Sequence, residues 1–313
     1  MSLVRCERVV GFVIPNETFE EEQKRLEATQ ALIRSQMDQC MEDLDERRKT
    51  EIDLNRQMWE ETGSSITDMV GVADFWSFQG MINNNKRLNT QTRQLLDRLS
   101  RSYLAPYFGR FDFLEEAGAP ESVYVGVGSV VDEETHEYWA YDWRAPICSI
   151  FYDYELGQAS YTCPAGEIKG NVSLKRQYTL EDGRLTGMFE SGVKIDDDIL
   201  QHLLSRNVDE GMRTIVTSIQ REQNRIIRHR DVRAMAVYGP AGSGKTSVAL
   251  HRIAYLLYHN RDTLNAAHVL IMSPNYLFGQ YIAGVLPELG EENIRRLPFA
   301  AFAAARLASL LQG

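Results

Sequence analysis

The run Gly239-Pro240-Ala241-Gly242-Ser243-Gly244-Lys245-Thr246 has the spacing GxxxxGK[ST] of a phosphate-binding loop. Its glycines let the backbone curl so that successive N–H groups point inward at phosphate oxygens. A helix opening at the end of the loop adds unpaired N–H groups and the positive end of its dipole. Lys245 supplies a compact positive charge to the β- and γ-phosphates, and Thr246 offers its hydroxyl to Mg²⁺. These two are the candidate catalytic residues, and Gly239 to Thr246 with Ser247 form the candidate nucleotide-binding set. No strand ending in Asp-Glu follows Thr246. Val130-Val131-Asp132-Glu133 has that look, but it lies upstream and runs into Glu134-Thr135-His136-Glu137, which reads as a hairpin turn. Phosphoryl transfer needs an acid to hold the metal and a group to orient the attacking water. The chain alone is therefore expected to bind nucleotide better than it hydrolyses it.

Such a loop must follow a buried strand and open a helix. Ala234-Met235-Ala236-Val237-Tyr238 is an apolar run directly before it and is expected to be that strand. Ser247 to His259 is expected as the helix, with Leu250, Ala254, Leu257 and Tyr258 on its buried side. His268 to Met272 reads as the next parallel strand, which completes a βαβ unit. Upstream, Asp196 to Arg230 reads as helical. Residues 107–192 carry short β-branched and aromatic runs (124–127, 138–141, 149–152, 174–178) and a hairpin turn at Glu181-Asp182-Gly183-Arg184, which predicts a small antiparallel β domain.

The first hundred residues differ again. Phe19, Leu26, Ile33 and Cys40 recur every seven residues, with Met37 and Leu44 beside them; Met81, Leu88 and Leu95 repeat further on, flanked by Ile82 and Leu99. The pattern predicts two long antiparallel helices with a distant tip near Thr62–Asp74. A helix of about 40 residues is roughly 60 Å long, too long for a body of this size to enclose. Residues 17–61 hold fourteen acids and seven bases, so the excess negative charge of the chain concentrates in this arm.

Of 313 residues, 43% are hydrophobic and 25% charged, and the net charge is −10. That composition supports a packed core and excludes a disordered chain or a nucleic-acid coat, which needs clustered Lys and Arg. The apolar stretches are too short or too interrupted to span a bilayer. Cys6, Cys40, Cys148 and Cys163 show no CxxC spacing and read as reduced thiols of a cytoplasmic protein; the histidines show no metal-ligand spacing. The first residues carry no signal-peptide pattern.

Gly239 through Leu257, GPAGSGKTSVALHRIAYLL, resembles motif I of the UvrD/Rep-like superfamily 1 helicases. Further blocks are similar to the HelD branch of that superfamily, whose members bind bacterial RNA polymerase. They are Tyr107–Phe113 (YFGRFDF), Tyr141–Ile147 (YDWRAPI), Leu174–Tyr178 (LKRQY), Ile219–Arg228 (IQREQNRIIR), Ser273-Pro274-Asn275 and Val285–Glu291 (VLPELGE). The resemblance implies that Gln223, sixteen residues before Gly239, reads the adenine edge of ATP, with Gln220 as a rival. It implies that Ser273–Asn275 contacts single-stranded DNA. It also implies that the arm enters the secondary channel of the polymerase core, where Glu60, Glu61, Asp68 and Asp74 at the tip are candidate contacts. The later helicase motifs and a second RecA-like domain have no counterpart here, so an amino-terminal part of a longer protein is expected.

The expected fold is α/β: a helical hairpin arm (1–105), a small antiparallel β domain (106–192), and a helical segment leading into an incomplete RecA-like P-loop domain (193–313). The expected function is ATP-coupled remodelling of RNA polymerase, using ATP and Mg²⁺. The alternatives are a conventional 3′–5′ DNA helicase and a pure interaction module.

Overall fold

The computed structural model describes residues 16–62, 69–190 except 117, and 219–311 except 231, 241, 278, 281, 283–285, 287, 288 and 290–293. The chain divides into two compact units, Met1–Leu99 with Thr179–Met188, and Ser100–Tyr178 with Phe189–Gly313.

In the first unit, helix α1 (Asn16–Thr62) has 47 residues and α2 (Met69–Leu104), which ends in the second unit, has 36. At 1.5 Å per residue α1 is about 70 Å long. The seam of α1 follows the heptad reading, since Leu26, Ile33 and Cys40 are buried. In α2 the expected seam is displaced by one residue. Met81 and Leu95 are exposed, while Ile82, Asn85 and Leu99 are buried. Heptad spacing gives a period but not a phase, and here the neighbouring Ile82 takes the inward position. Polar groups then bind the helices at matched levels. Asn85 Nδ2 donates to Arg47 O at 2.8 Å, Lys86 Nζ lies 3.8 Å from Glu51 Oε1, and Gln79 Nε2 lies 3.4 Å from Met58 Sδ.

Strand β6 (Gly166–Glu181) turns into β7 (Arg184–Glu190) through Asp182 and Gly183, with φ of 49° and 76°. These left-handed values are those of a type I′ hairpin, as the EDGR run predicts. The turn belongs to the same unit as the arm: Gln30 Nε2 donates to Gly183 O at 2.7 Å, and Leu185 N donates to Gln23 Oε1 at 3.3 Å.

Six strands run in the order β3-β4-β2-β1-β6-β5, almost wholly in the second unit, and β7, whose residues to Met188 belong to the first, pairs with β6. The other strands are β1 (Gly109–Glu115), β2 (Pro120–Gly126), β3 (Val130–Val131), β4 (Tyr138–Asp142) and β5 (Gly157–Cys163). The pairing is antiparallel except between β2 and β4, so the sheet is mixed. Phe111, Phe113, Val123, Val125 and Val172 fill its buried face.

Residues 149–152, expected as a strand, form helix α3 (Ser149–Asp153). Three consecutive side chains, Ile150, Phe151 and Tyr152, are buried together. A half-buried strand would send alternate side chains to opposite faces, and the turn at Ala145–Cys148 feeds a helix instead.

Beyond residue 218 come α4 (Arg221–Arg228), α5 (Lys245–His259), β8 (Leu270–Ser273), β9 (Arg295–Pro298) and α6 (Phe299–Leu311). The expected strand at 234–238 does not form: the segment has no regular structure and no strand partner among the described residues, and Tyr238 is 90% exposed. A strand exists only where a neighbour takes its hydrogen bonds. Among the described residues β8 pairs in parallel with β9 and leaves no edge bonded to 234–238. On α5 the buried side is Val248, Leu250, His251, Ala254, Tyr255 and Leu257; Tyr258, expected there, is half-buried. Of the helical zone expected over 196–230, only the part from Ile219 is described, and it is helical at Arg221–Arg228; Ile199, Leu203, Leu204 and Ile215 lie outside the described residues. Among the described residues no helix is long and apolar enough to cross a membrane.

Gly126, at the end of β2, has no room for a side chain: an added Cβ would lie 2.2 Å from Pro106 O, a backbone atom. Gly126→Ala is expected to lower stability by about 1–3 kcal/mol. Gly128→Ala, with open space around it, is the control. Urea midpoints of the two variants test the difference.

Candidate nucleotide site

The loop curls as its glycines require. Gly242 and Gly244 take φ of 81° and 76°, values that favour glycine. Gly244 is the N-cap of α5, and Val248 N donates back to Gly244 O at 2.8 Å. A Cβ on Gly239 would lie 2.7 Å from Ser243 Oγ, so the start of the loop is packed against its own turn. Lys245, the first residue of α5, bends back and donates from Nζ to Pro240 O at 2.5 Å. Thr246 is exposed in the first helical turn, and Ser247 O accepts from His251 Nδ1 at 2.7 Å. Ala241 lies outside the described residues. The set fits a phosphate group: an ammonium, free helix N–H groups, an exposed hydroxyl, and glycines where a Cβ would fill the cradle.

Gln223, far from the loop in sequence, is brought beside it. Its Nε2 lies 3.3 Å from the point a Cβ on Gly244 would occupy. Its Oε1 accepts from Gln220 N at 3.2 Å, which satisfies one of the free donors at the start of α4. Gln220 thus holds Gln223 in place through its backbone.

A second layer surrounds the loop helix. Asp142 accepts from the guanidinium of Arg144 at 2.8 and 2.6 Å and from Arg144 N at 2.9 Å, with both residues buried. The Arg144 guanidinium also lies over the Tyr258 ring of α5. Trp143, fully buried, meets His251 of α5 edge-to-face at 5.6 Å. The Ser247 contact places the His251 hydrogen on Nδ1, so Nε2 carries a lone pair; this atom and Trp143 Nε1 are buried without hydrogen-bond partners. Burial pushes the Cys148 thiol and the Tyr152 hydroxyl far up, which keeps both neutral.

Sequence reasoning placed YDWRAPI, IQREQNRIIR and HRIAYLL in a row. It missed that Trp143, Arg144, Asn224, Arg228, His251 and Arg252 meet in one place. The excess of Arg and aromatic residues in these blocks was the available signal. Two more residues were missed: Trp59 and Trp76 are 69% and 68% exposed near the far end of the arm. Glu60 and Asp74 are exposed beside them; Glu61 is helical, and Asp68 lies outside the described residues. The Asp132-Glu133 pair sits in the turn expected of it, with Asp132 Oδ1 accepting from Glu134 N and Thr135 N; these bonds hold the Asp132 carboxyl below its ordinary pKa. At Ser273–Asn275, Ser273 Oγ donates to Asn275 O at 2.9 Å, and Tyr276 and Leu277 are exposed. Among the described residues no group of three or more His, Cys, Asp or Glu is placed to hold a metal ion.

Burial lowers the pKa of His251 below its ordinary value of about 6.5. The unfolded chain then takes up a proton that the folded chain refuses. Stability is full above pH about 6.5 and declines as pH falls from there toward the folded pKa. His251→Phe is expected to remove this part of the decline, read from urea midpoints of the two proteins between pH about 5 and 8.

Among curated proteins none matches the chain. A family model described as the N-terminal domain of DNA helicase IV HelD matches residues 19–203, which is more than half of the chain and takes in the arm and the whole sheet. The chain belongs to the HelD helicase IV family, through that N-terminal domain.

Proposed function

We propose that the chain is the amino-terminal part of an ATP-dependent, helicase-like factor that binds bacterial core RNA polymerase through its arm and remodels or recycles transcription complexes. The observation that carries this reading is the arm itself. It is a hairpin of two helices, cross-linked at matched levels, in the same chain as a phosphate-binding loop. Residues 51–62 and 69–81 near its far end carry five acids and one base. An acidic rod suits a basic channel, and exposed tryptophans are the side chains that most often dominate protein interfaces.

ATP is the nucleotide this reading assigns. Gln223 would take the adenine edge, Lys245 and the loop N–H groups the phosphates, and the Thr246 hydroxyl one position on Mg²⁺, with phosphate oxygens and water supplying others. When bound, the metal ion offsets phosphate charge. The chain's own residues bind and orient the triphosphate.

A second reading, a 3′–5′ DNA translocase, draws on exposed Tyr276 beside Ser273–Asn275, since bases stack on exposed aromatic rings.

Three outcomes are expected. Lys245→Ala weakens binding of a fluorescent ATP analogue at least about tenfold, ~1.4 kcal/mol, with no fall in thermal midpoint. The chain binds core polymerase, and removal of residues 16–104 abolishes that binding; retention by the shortened chain would remove the arm from the reading. Trp59→Ala and Trp76→Ala each weaken polymerase binding by roughly thirtyfold, about 2 kcal/mol, and binding shifts the tryptophan emission of the unsubstituted protein.

A further inference from the structure

Helix α4 is eight residues long. Two turns of helix have no stability of their own in water, so the position of α4 must be imposed from outside. Its own side chains and those of its neighbours show how.

Asn224, next to Gln223, is fully buried. Its Nδ2 donates to Asp153 Oδ1 of α3 at 2.9 Å, and its Oδ1 accepts from Arg228 Nε at 3.0 Å. Both ends of the amide are engaged, so its orientation is set. Arg228 then donates from Nη2 to Trp143 O at 2.5 Å, and from Nη1 to Arg144 O and Ala145 O, each at 3.2 Å. Its guanidinium also lies over the Tyr255 ring of α5. At the far end of α4, Arg252 of α5 donates to the carbonyls of Ile226, Ile227 and His229. The anchor on α3 is itself held, because buried Lys175 of β6 donates to Tyr154 O at 2.7 Å, directly after Asp153.

We propose that Asp153, Asn224 and Arg228 are positioning residues for nucleobase recognition: the sheet-bearing part of the unit holds α4 so that Gln223 stands beside Gly244. The proposal rests on the reading of Gln223 as the adenine contact. It gives the β region a task that neither its strands nor the family description assigns. The phosphate contacts sit on α5 and its loop, so they do not depend on this clamp in the same way. Loss of the clamp therefore separates base discrimination from phosphate affinity.

The test is a competition titration of a fluorescent ATP analogue with ATP and with GTP on the whole chain. Asn224→Ala and Asp153→Ala are expected to weaken ATP about tenfold, to leave GTP within about twofold, and so to bring the ATP:GTP ratio toward one. Asp153→Asn keeps an acceptor for Asn224 Nδ2 and is expected to restore the ratio. A merely structural role would weaken both nucleotides together, and that result overturns the proposal. An unchanged ratio in Asp153→Ala, whose site on α3 is only half-buried and tolerates truncation best, also overturns it. A chain without substitutions that binds neither nucleotide overturns the nucleotide reading itself, and this inference with it; failure of polymerase binding alone touches neither.

Discussion

Two carbonyl groups in a row, those of the buried residues Trp143 and Arg144, set a requirement that the second unit must meet. The turn that carries them leaves a strand and enters α3, so its oxygens have no place in a ladder. A buried carbonyl without a donor costs free energy comparable to a lost hydrogen bond. Arg228 answers both from one planar, permanently charged fork, which also reaches Ala145 O beside its bond from Cys148 N. Lysine, with one nitrogen, could not reach three oxygens and an amide together. Satisfying the turn thus forces α4 to lie against it, and Arg252 and Tyr255 of α5 close the same cluster. The helix that carries Gln223 to the loop is thus held by a turn far upstream in the chain.

The interior of the arm solves a different problem. Leu26, Ile33 and Ile82 would pack equally well in several registers, because heptads repeat. The pairs Lys86–Glu51 and Gln79–Met58 favour one of them, since a slip of seven residues parts both, whereas the bond from buried Asn85 to Arg47 O uses a backbone acceptor that recurs along α1. Thr29, also buried, is satisfied within its own helix by Arg25 O. The side-chain pairs between the helices therefore favour the register, and the apolar positions of the seam supply the burial.

Local chemistry was legible and pairing was not. The Gly242 and Gly244 conformations, the Asp182-Gly183 turn and the inward seam of α1 each depend on a few adjacent residues, and the sequence states them directly. The phase of α2 needed its partner helix. The helical state of 149–152 needed the knowledge that Ile150, Phe151 and Tyr152 are buried on all sides. The segment 234–238 has the composition of a central strand, yet composition cannot supply the neighbour that a strand requires. The same limit hid the contacts around the loop helix: Gln223 was a candidate only through the resemblance of its block to the helicases, and Asp153 was none, because nothing in the chain announces that α3 meets α4.

The matched cross-links of the arm also bear on how its reach could change over generations. Lengthening α1 alone would carry Glu51 and Met58 away from Lys86 and Gln79 and strand the buried faces on both sides. Insertions survive in pairs, one in each helix, and in steps of seven residues, each adding about 10 Å. Arms of related proteins should accordingly differ in length by discrete increments, and a designer who wishes to extend or shorten this one must edit both helices at once.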